Sequence, residues 1–418
     1  MSIFCRIFVK NAFYPIMNNF TFIDLFCGIG GFHQAMSSLG GKCVFASDID
    51  KHCRETYYHN YHIQPHGDIT KVDEKDIPPH DVICGGFPCQ SFSIAGKRLG
   101  FDDPTKGTLF FDIVRIIKYH KPKYILLENV KNLASHDNGN TWKVIHDTLQ
   151  NLNYNVHEQP IIFSPHFINV PQNRERVFII GIRKDIAELP DFVFDQSTIP
   201  TCSINSILQD DTEIPNIYNY KLEESYVDVI NHWDKFLKGI NTIPRFPVWK
   251  EWLTDTMDES APEWRKPHMR RCIELYNNNR TFIDNWLNEA DSIEKFNGAK
   301  ARLEWQVGTV TNNIWETILQ FRQSGIRCKA ATYFPTLVAI VQTSIIGKTK
   351  RYLTPRECAR LQSFPDTFEM ISPEHECYKQ FGNSVNVEVI KLMAKFMFGD
   401  PETREKYTET INESYALF

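Results

Sequence analysis

Between residues 21 and 183, short β-rich runs alternate with segments of helical spacing, and this rhythm constrains the fold more than any other feature. Thr21 to Phe26, Lys42 to Ser47, Asp81 to Gly85, Tyr124 to Glu128 and Arg176 to Ile182 read as strands. Helices fit at Phe32 to Leu39, Lys51 to Tyr58, Gly107 to His120 and Asn140 to Leu152. A chain that returns to one sheet through a helix runs its strands parallel, so the expectation is an α/β, doubly wound, mostly parallel sheet. After Arg183 the alternation stops, Trp, Asn and Pro become frequent, and periodicity stays weak to about residue 330. Helix-like order returns at Thr354 to Leu361 and Val385 to Met397. The division expected is an extension over 1–19, the α/β part over 20–184, a smaller irregular part over 185–351, a return to the first over 352–400, and a tail over 401–418. Met17 stands just ahead of the first strand, which makes residues 1–16 a loosely ordered extension or a product of start-codon choice.

The 418 residues, 42% of them hydrophobic, suffice for two domains or one large domain with an insertion. No apolar stretch approaches the roughly 20 residues that cross a bilayer, and Arg6, Lys10 and Asn11 interrupt any signal-type core, so no membrane association and a cytoplasmic location are expected. Eleven cysteines without a Cys-x-x-Cys pair read as reduced, mostly structural thiols, with neither a metal site nor a disulfide framework. The net charge of −5 argues against indiscriminate polyanion binding, but acidic residues crowd 210–263 while basic ones gather at Arg265 to Arg271 and between Arg322 and Arg351.

Two sites suggest themselves. At the first strand's end, Asp24-Leu-Phe-Cys-Gly-Ile-Gly-Gly31 turns strand into helix through close-set glycines, which let backbone approach a ligand. The next strand ends at Asp48, at the spacing where a carboxylate reaches a ribose, and a third strand end is expected near Gly67-Asp68-Ile69-Thr70. Asp50 reads as a helix cap. The glycines lack full Gly-x-Gly-x-x-Gly spacing, which favours an adenosine-bearing cofactor smaller than a dinucleotide. At the other site, Cys89 lies in Gly86-Phe-Pro-Cys-Gln-Ser-Phe-Ser93, just past an apolar strand. Glu128 ends another strand in Glu128-Asn-Val130, and Arg174 and Arg176 flank a third in Gln172-Asn-Arg-Glu-Arg176. Singly, these read as a buried thiol, an ion pair and a surface pair; together at strand ends they suggest an activated nucleophile with its supporting groups.

With Arg356-Glu-Cys-Ala-Arg-Leu361 and Gln380-Phe-Gly-Asn-Ser-Val385, these motifs stand in an order that resembles the DNA (cytosine-5) methyltransferases, in particular bacterial type II modification methylases with a catalytic half of the HhaI type. The resemblance covers 21–183 and about 352–397, and it implies an S-adenosylmethionine-dependent, Rossmann-like methyltransferase fold. It implies that Cys89 adds to carbon 6 of a flipped cytosine, that Glu128 protonates ring nitrogen 3, and that Arg176 steadies the base with Arg174 in support. Asn129 is implied to hold the nucleophile loop, and Gln90 to fill the gap left by the base. Gln90 to Phe101 would be a loop that closes on DNA. On the cofactor side the implied residues are Phe26, Gly28, Gly30, Gly31, Asp48, Ile49, Asp68, Ile69, Asn383 and Ser384.

Three departures from the family pattern, Cys27 for a usual alanine, Asp48 for a glutamate and Ile49 for a tryptophan, imply altered cofactor affinity rather than loss of binding. Residues 185–351 would be the target-recognition region, with Trp264 to Arg271 and Phe321 to Arg327 suited to phosphate and base contacts, and Tyr333 to Ala339 an apolar strand that sets Thr336 near the flipped base. The partners implied are double-stranded DNA of specific sequence and a cognate restriction endonuclease whose cleavage the methylation blocks; a monomer is expected. The alternatives are a tRNA cytosine-5 methyltransferase and a catalytically silent DNA-binding homologue.

Overall fold

The computed structural model describes residues 19–88, 109–195, 197, 199–339 and 343–408. Its first sheet contains β1 (Thr21–Leu25), β2 (Lys42–Ser47), β3 (Val82–Gly86), β4 (Tyr124–Val130), β5 (Tyr154–Val156), β6 (Ile161–Phe163) and β8 (Arg176–Arg183). The order is β2-β1-β3-β4-β8-β5, with β6 also on β8. The first four strands are parallel; β8 runs antiparallel to β4, β5 and β6, so it alone is reversed. β5 and β6, three residues each, escaped the sequence reading because so short a run carries no usable periodicity. The third strand expected at Gly67 to Thr70 does not form. A single parallel bridge joins Ser47 to His66, and Asp68 then turns the chain into a 3-10 helix over Ile69–Lys71 by accepting from the Thr70 N–H and hydroxyl.

Both faces of this sheet are covered, and strand alternation shows how. In β4, Tyr124 and Leu126 join a core with α1 (Gly31–Ser38) and α10 (Val387–Phe398), while Ile125 and Leu127 face α3 (Leu109–His120) and α4 (Asn140–Asn151). α3 buries Phe110, Ile113, Val114 and Ile117, one stripe at helical spacing. α2 (Lys51–Tyr61) follows β2, and the C-terminal α8 (Pro355–Leu361), α9 (Glu374–Asn383), α10 and α11 (Pro401–Thr408) share the core of β1.

The stretch read as irregular is more ordered than its weak periodicity suggests. α5 (Glu224–Gly239), α6 (Lys266–Asn278) and α7 (Arg280–Ala290) pack on a second sheet and build a separate core around Trp233, Phe236 and Trp286. That sheet runs β15-β14-β11-β12-β10-β9, from β9 (Val248–Trp249), β10 (Arg302–Gln306), β11 (Thr317–Arg322), β12 (Gly325–Ala330), β14 (Ile345–Ile346) and β15 (Arg351–Tyr352). The strand expected over Tyr333 to Ala339 shrinks to β13 (Phe334–Pro335), which pairs with β7 (Gln172–Asn173). Pro335 has no N–H to donate, so the ladder stops there. Among the described residues no helix is long and apolar enough to cross a membrane, and all nine described cysteines are free.

The two parts are joined by a buried charge cluster. Arg351 forks onto Glu357 at 2.8 and 2.9 Å and reaches Asp211 at 2.8 Å. Glu357 also accepts from the Thr354 N–H, closing a capping box at the start of α8, and from the Gln209 N–H. Arg351, one of the basic residues gathered along this stretch, is thus fully buried.

Candidate active site

β1 hands the chain to Phe26, whose φ of +55° is a left-handed conformation that bulky residues rarely adopt. Gly28 and Gly30 continue at positive φ, and α1 starts at Gly31. At Gly31 a β-carbon would stand 2.6 Å from Val385 Cγ2 and 3.0 Å from Ser384 Oγ, so glycine is required for the loop after α9 to cross the helix start. Ser384 is thereby set against the glycine turn, with Asn383 exposed beside it at the end of α9.

Asp48, at the end of β2, accepts from the Gly28 N–H at 2.8 Å and from the Asp50 N–H at 2.8 Å. Burial raises its carboxyl pKa, and those two donors oppose the rise. Ile49 is 76% exposed, an apolar face next to the turn, and Asp50 caps α2 through the Cys53 N–H as expected. Asp68 and the buried Ile69 follow on the same edge. Asp24 belongs to the motif of the glycine turn, with no separate role assigned to it from the sequence. It is fully buried at the turn, neither oxygen has a hydrogen-bond partner of good geometry among the described residues, and burial holds its pKa well above the usual range against the nearby His33 N–H and Tyr57 hydroxyl. A carboxylate inside the apolar run Phe22-Ile-Asp-Leu-Phe26 was the available signal.

The second group gathers where β3, β4 and β8 end. Cys89 and Gln90, with the loop to Phe101, lie outside the described residues; the chain is followed to Pro88. The segment leading to Cys89 is tied down by Asn129, whose Nδ2 donates to the Phe87 carbonyl at 2.8 Å. Register sets Glu128 opposite Gly86, and Glu128 Oε1 meets Arg176 Nε at 3.1 Å. Burial raises the Glu128 pKa, while Arg176 and then Arg174 pull it down. Arg174 stands apart from this pair: its guanidinium donates to the carbonyls of Leu337, Gly382 and Ser384 at 2.9, 3.0 and 2.8 Å. Burial lowers its pKa to about 9. Arg174 therefore binds the loop at Ser384 to the segment after β13, and the support expected from it comes through position, not through a place beside the base. Thr336 donates its hydroxyl to the Asn173 carbonyl at 2.7 Å, on the same segment.

A glycine turn flanked by acids and a carboxyl–guanidinium pair thus share one end of the sheet, and the end of β3, held at Phe87, lies between them. A model of the C-5 cytosine-specific DNA methylases matches residues 20–399. The chain belongs to this family. Among relatives, the type II methyltransferase M1.ScrFI of Lactococcus lactis subsp. cremoris is 38% identical over 391 residues, covering 92% of this chain and 79% of that protein. The type II methyltransferase M.HhaI of Haemophilus parahaemolyticus is 33% identical over 373 residues, 89% of this chain and 92% of that protein. In fold, this methylase is similar to the Entamoeba histolytica methyltransferase EhMeth, with a TM-score of 0.52 at 15% identity, covering 92% of this chain and 99% of that one.

Proposed function

We propose that this DNA methylase transfers a methyl group from S-adenosylmethionine to carbon 5 of a cytosine flipped out of a specific duplex sequence, through a covalent adduct at Cys89. One observation carries the reading: Asn129 and Glu128, neighbours on β4, respectively anchor the approach to Cys89 and hold a buried carboxyl against Arg176. The residues around the turn fit a small adenosine-bearing donor. Gly28 faces open space, Ile49 offers an apolar face, Asp48 and Asp68 bring carboxylates, and unpartnered Asp24 suits a positively charged group. Asn383 and Ser384 complete that cradle. S-adenosylmethionine supplies an electrophilic methyl group.

The chain's own residues do the rest. The Cys89 thiolate adds to carbon 6, and Glu128 gives ring nitrogen 3 a proton, which the raised pKa of a buried carboxyl favours. Carbon 5 then takes the methyl group and gives up its proton to water, the thiolate leaves carbon 6, and ring nitrogen 3 returns its proton to Glu128, so one difficult step becomes several easier ones. Arg176 fixes the Glu128 carboxyl and contacts the base, and Gln90 fills the vacated stack while the loop to Phe101 closes. Residues 185–351 select the target, and the product protects host DNA from a cognate endonuclease.

The test is expression in a host lacking cytosine methylation, with bisulfite mapping of methylated cytosines. One short motif is expected, with none for Cys89→Ala, and plasmid from those cells should resist an endonuclease cutting at that motif. DNA containing 5-fluorocytosine should trap the protein irreversibly; release in denaturant would indicate a silent binder. Methyl transfer to tRNA in preference to DNA would favour the RNA reading.

A further inference from the structure

The second sheet has two unlike faces. Leu303, Trp305, Leu319, Ile326, Cys328 and Ile345 point into its own core. On the other face, Ile318 and Ile346 pair across β11 and β14 and join the core of the first sheet. Beyond them that face turns polar. Register places Gln320 beside Arg327, Arg327 beside Glu304, and Lys329 beside Ile318, all half-buried except Ile318. Among the described residues, Arg322, Arg327 and Lys329 act on one another there together with Glu304, while Arg302, on the same face of β10, pairs with Glu251 at 3.7 Å. Burial and mutual repulsion push the pKa values of Arg322 and Lys329 below their ordinary range. A half-buried surplus of positive charge is costly unless an electron-rich partner covers it.

The arginines are braced. Arg327 Nε donates to Glu304 Oε2 at 2.7 Å. Arg322 donates through Nε and Nη2 to Gln320 Oε1 at 3.1 and 2.6 Å, and Gln320 donates onward to Ser344 Oγ at 3.2 Å. Among the described residues no hydrogen bond engages Arg322 Nη1 or either Arg327 Nη. Gln320 and Ser344 also line a small pocket with Thr336 and Leu337, the segment tied to Asn173 and Arg174. The patch thus adjoins the segment bound to the strand that leads into Arg176.

Phosphates offer only acceptors, and a carboxylate amid the cations would repel them; base edges offer acceptors and amino donors together. We infer that this sheet face reads base edges in the major groove of the substrate duplex, with Arg322 and Arg327 directed at guanine and Glu304 at a neighbouring amino group. The inference rests on the DNA reading above and assigns the specificity to the strand face rather than to connecting loops.

The experiment compares wild type, Arg327→Gln, Arg322→Gln and Glu304→Gln, using the bisulfite-mapped motif and duplexes with each base pair replaced in turn. For each arginine variant, cognate binding should fall about 10- to 100-fold and discrimination at one G·C pair should vanish, with non-cognate affinity and salt slope nearly unchanged. Glu304→Gln should tighten non-cognate binding and lower the cognate to non-cognate ratio. Equal weakening on all duplexes with the salt slope reduced by about 1 would make these phosphate contacts and overturn the inference. So would an unchanged motif and ratio in all three variants. Melting temperatures of the unbound variants separate misfolding from lost recognition; if one arginine variant unfolds, the other and Glu304→Gln decide. Absence of any methylation by wild type would instead sink the functional reading.

Discussion

Glu128 combines two demands that pull against each other. Burial favours its neutral form, and the Arg176 guanidinium at 3.1 Å favours its anion, a balance that suits the proton transfer proposed for it. Glu128→Gln keeps the shape but cannot deliver the proton. Single-turnover methyl transfer should slow about 10²- to 10⁴-fold, while DNA binding by gel shift stays near wild type. Asp24 presents the opposite situation, a buried carboxyl that among the described residues is held up by burial and by Asp48 and opposed only by the His33 N–H and the Tyr57 hydroxyl. Its folded pKa lies above the unfolded value, so its contribution to stability is present below about pH 3.9 and is lost as pH rises through the folded pKa. Asp24→Asn should therefore raise the melting temperature at neutral pH, by a margin that shrinks on acidification. The same variant should weaken S-adenosylmethionine binding by calorimetry if Asp24 faces a cationic group of the donor. Neither residue's environment follows from composition, although the Glu128-Asn-Val130 motif marked the first of them.

At the level of elements, Arg351, Glu357 and Asp211 hold β15, α8 and the segment before α5 together. Glu357 is fully buried, and removing it strands the guanidinium without its main partner. Glu357→Ala should lower stability by about 3–5 kcal/mol, seen as an earlier denaturation midpoint. Arg351→Met with Glu357→Leu, which removes both charges, should recover much of that loss. The elements themselves were unevenly legible. β2 and the start of α4 fall where apolar alternation and helical spacing place them, because each is long and bounded by turn residues. β5 and β6 are too short for a pattern, and β13 ends at Pro335 although its apolar run continues. In sequence Arg351 is one more cation of a basic stretch, since nothing local shows that Glu357 and Asp211 converge on it.

Over the whole molecule, acid sensitivity should follow chiefly the two most strongly shifted of the buried histidines, with His232 shifted in the same direction. Burial holds the pKa values of His33 and His80 to about 4 in the folded state, below the 6.5 of the free group. The unfolded chain then binds more protons between these values, so stability is full above about pH 6.5, falls as pH drops toward 4, and levels off below. Melting temperatures across that range should decline, and His80→Gln should flatten part of the slope. Paired carboxyls such as Asp81, whose folded pKa is depressed, contribute their loss as the pH falls through that value, below the main histidine window. By itself the amino-acid sequence determined the parallel strands β1 to β4 and the order of the motifs that follow them, because strand alternation and turn chemistry act over a few neighbours. Tertiary structure alone decided that Arg174 joins carbonyls rather than flanking Glu128, that Arg351 is buried, and that residues 302–352 contribute to a polar sheet face beside the site. Those outcomes depend on contacts between segments more than a hundred residues apart, or on strand register, and local spacing encodes neither.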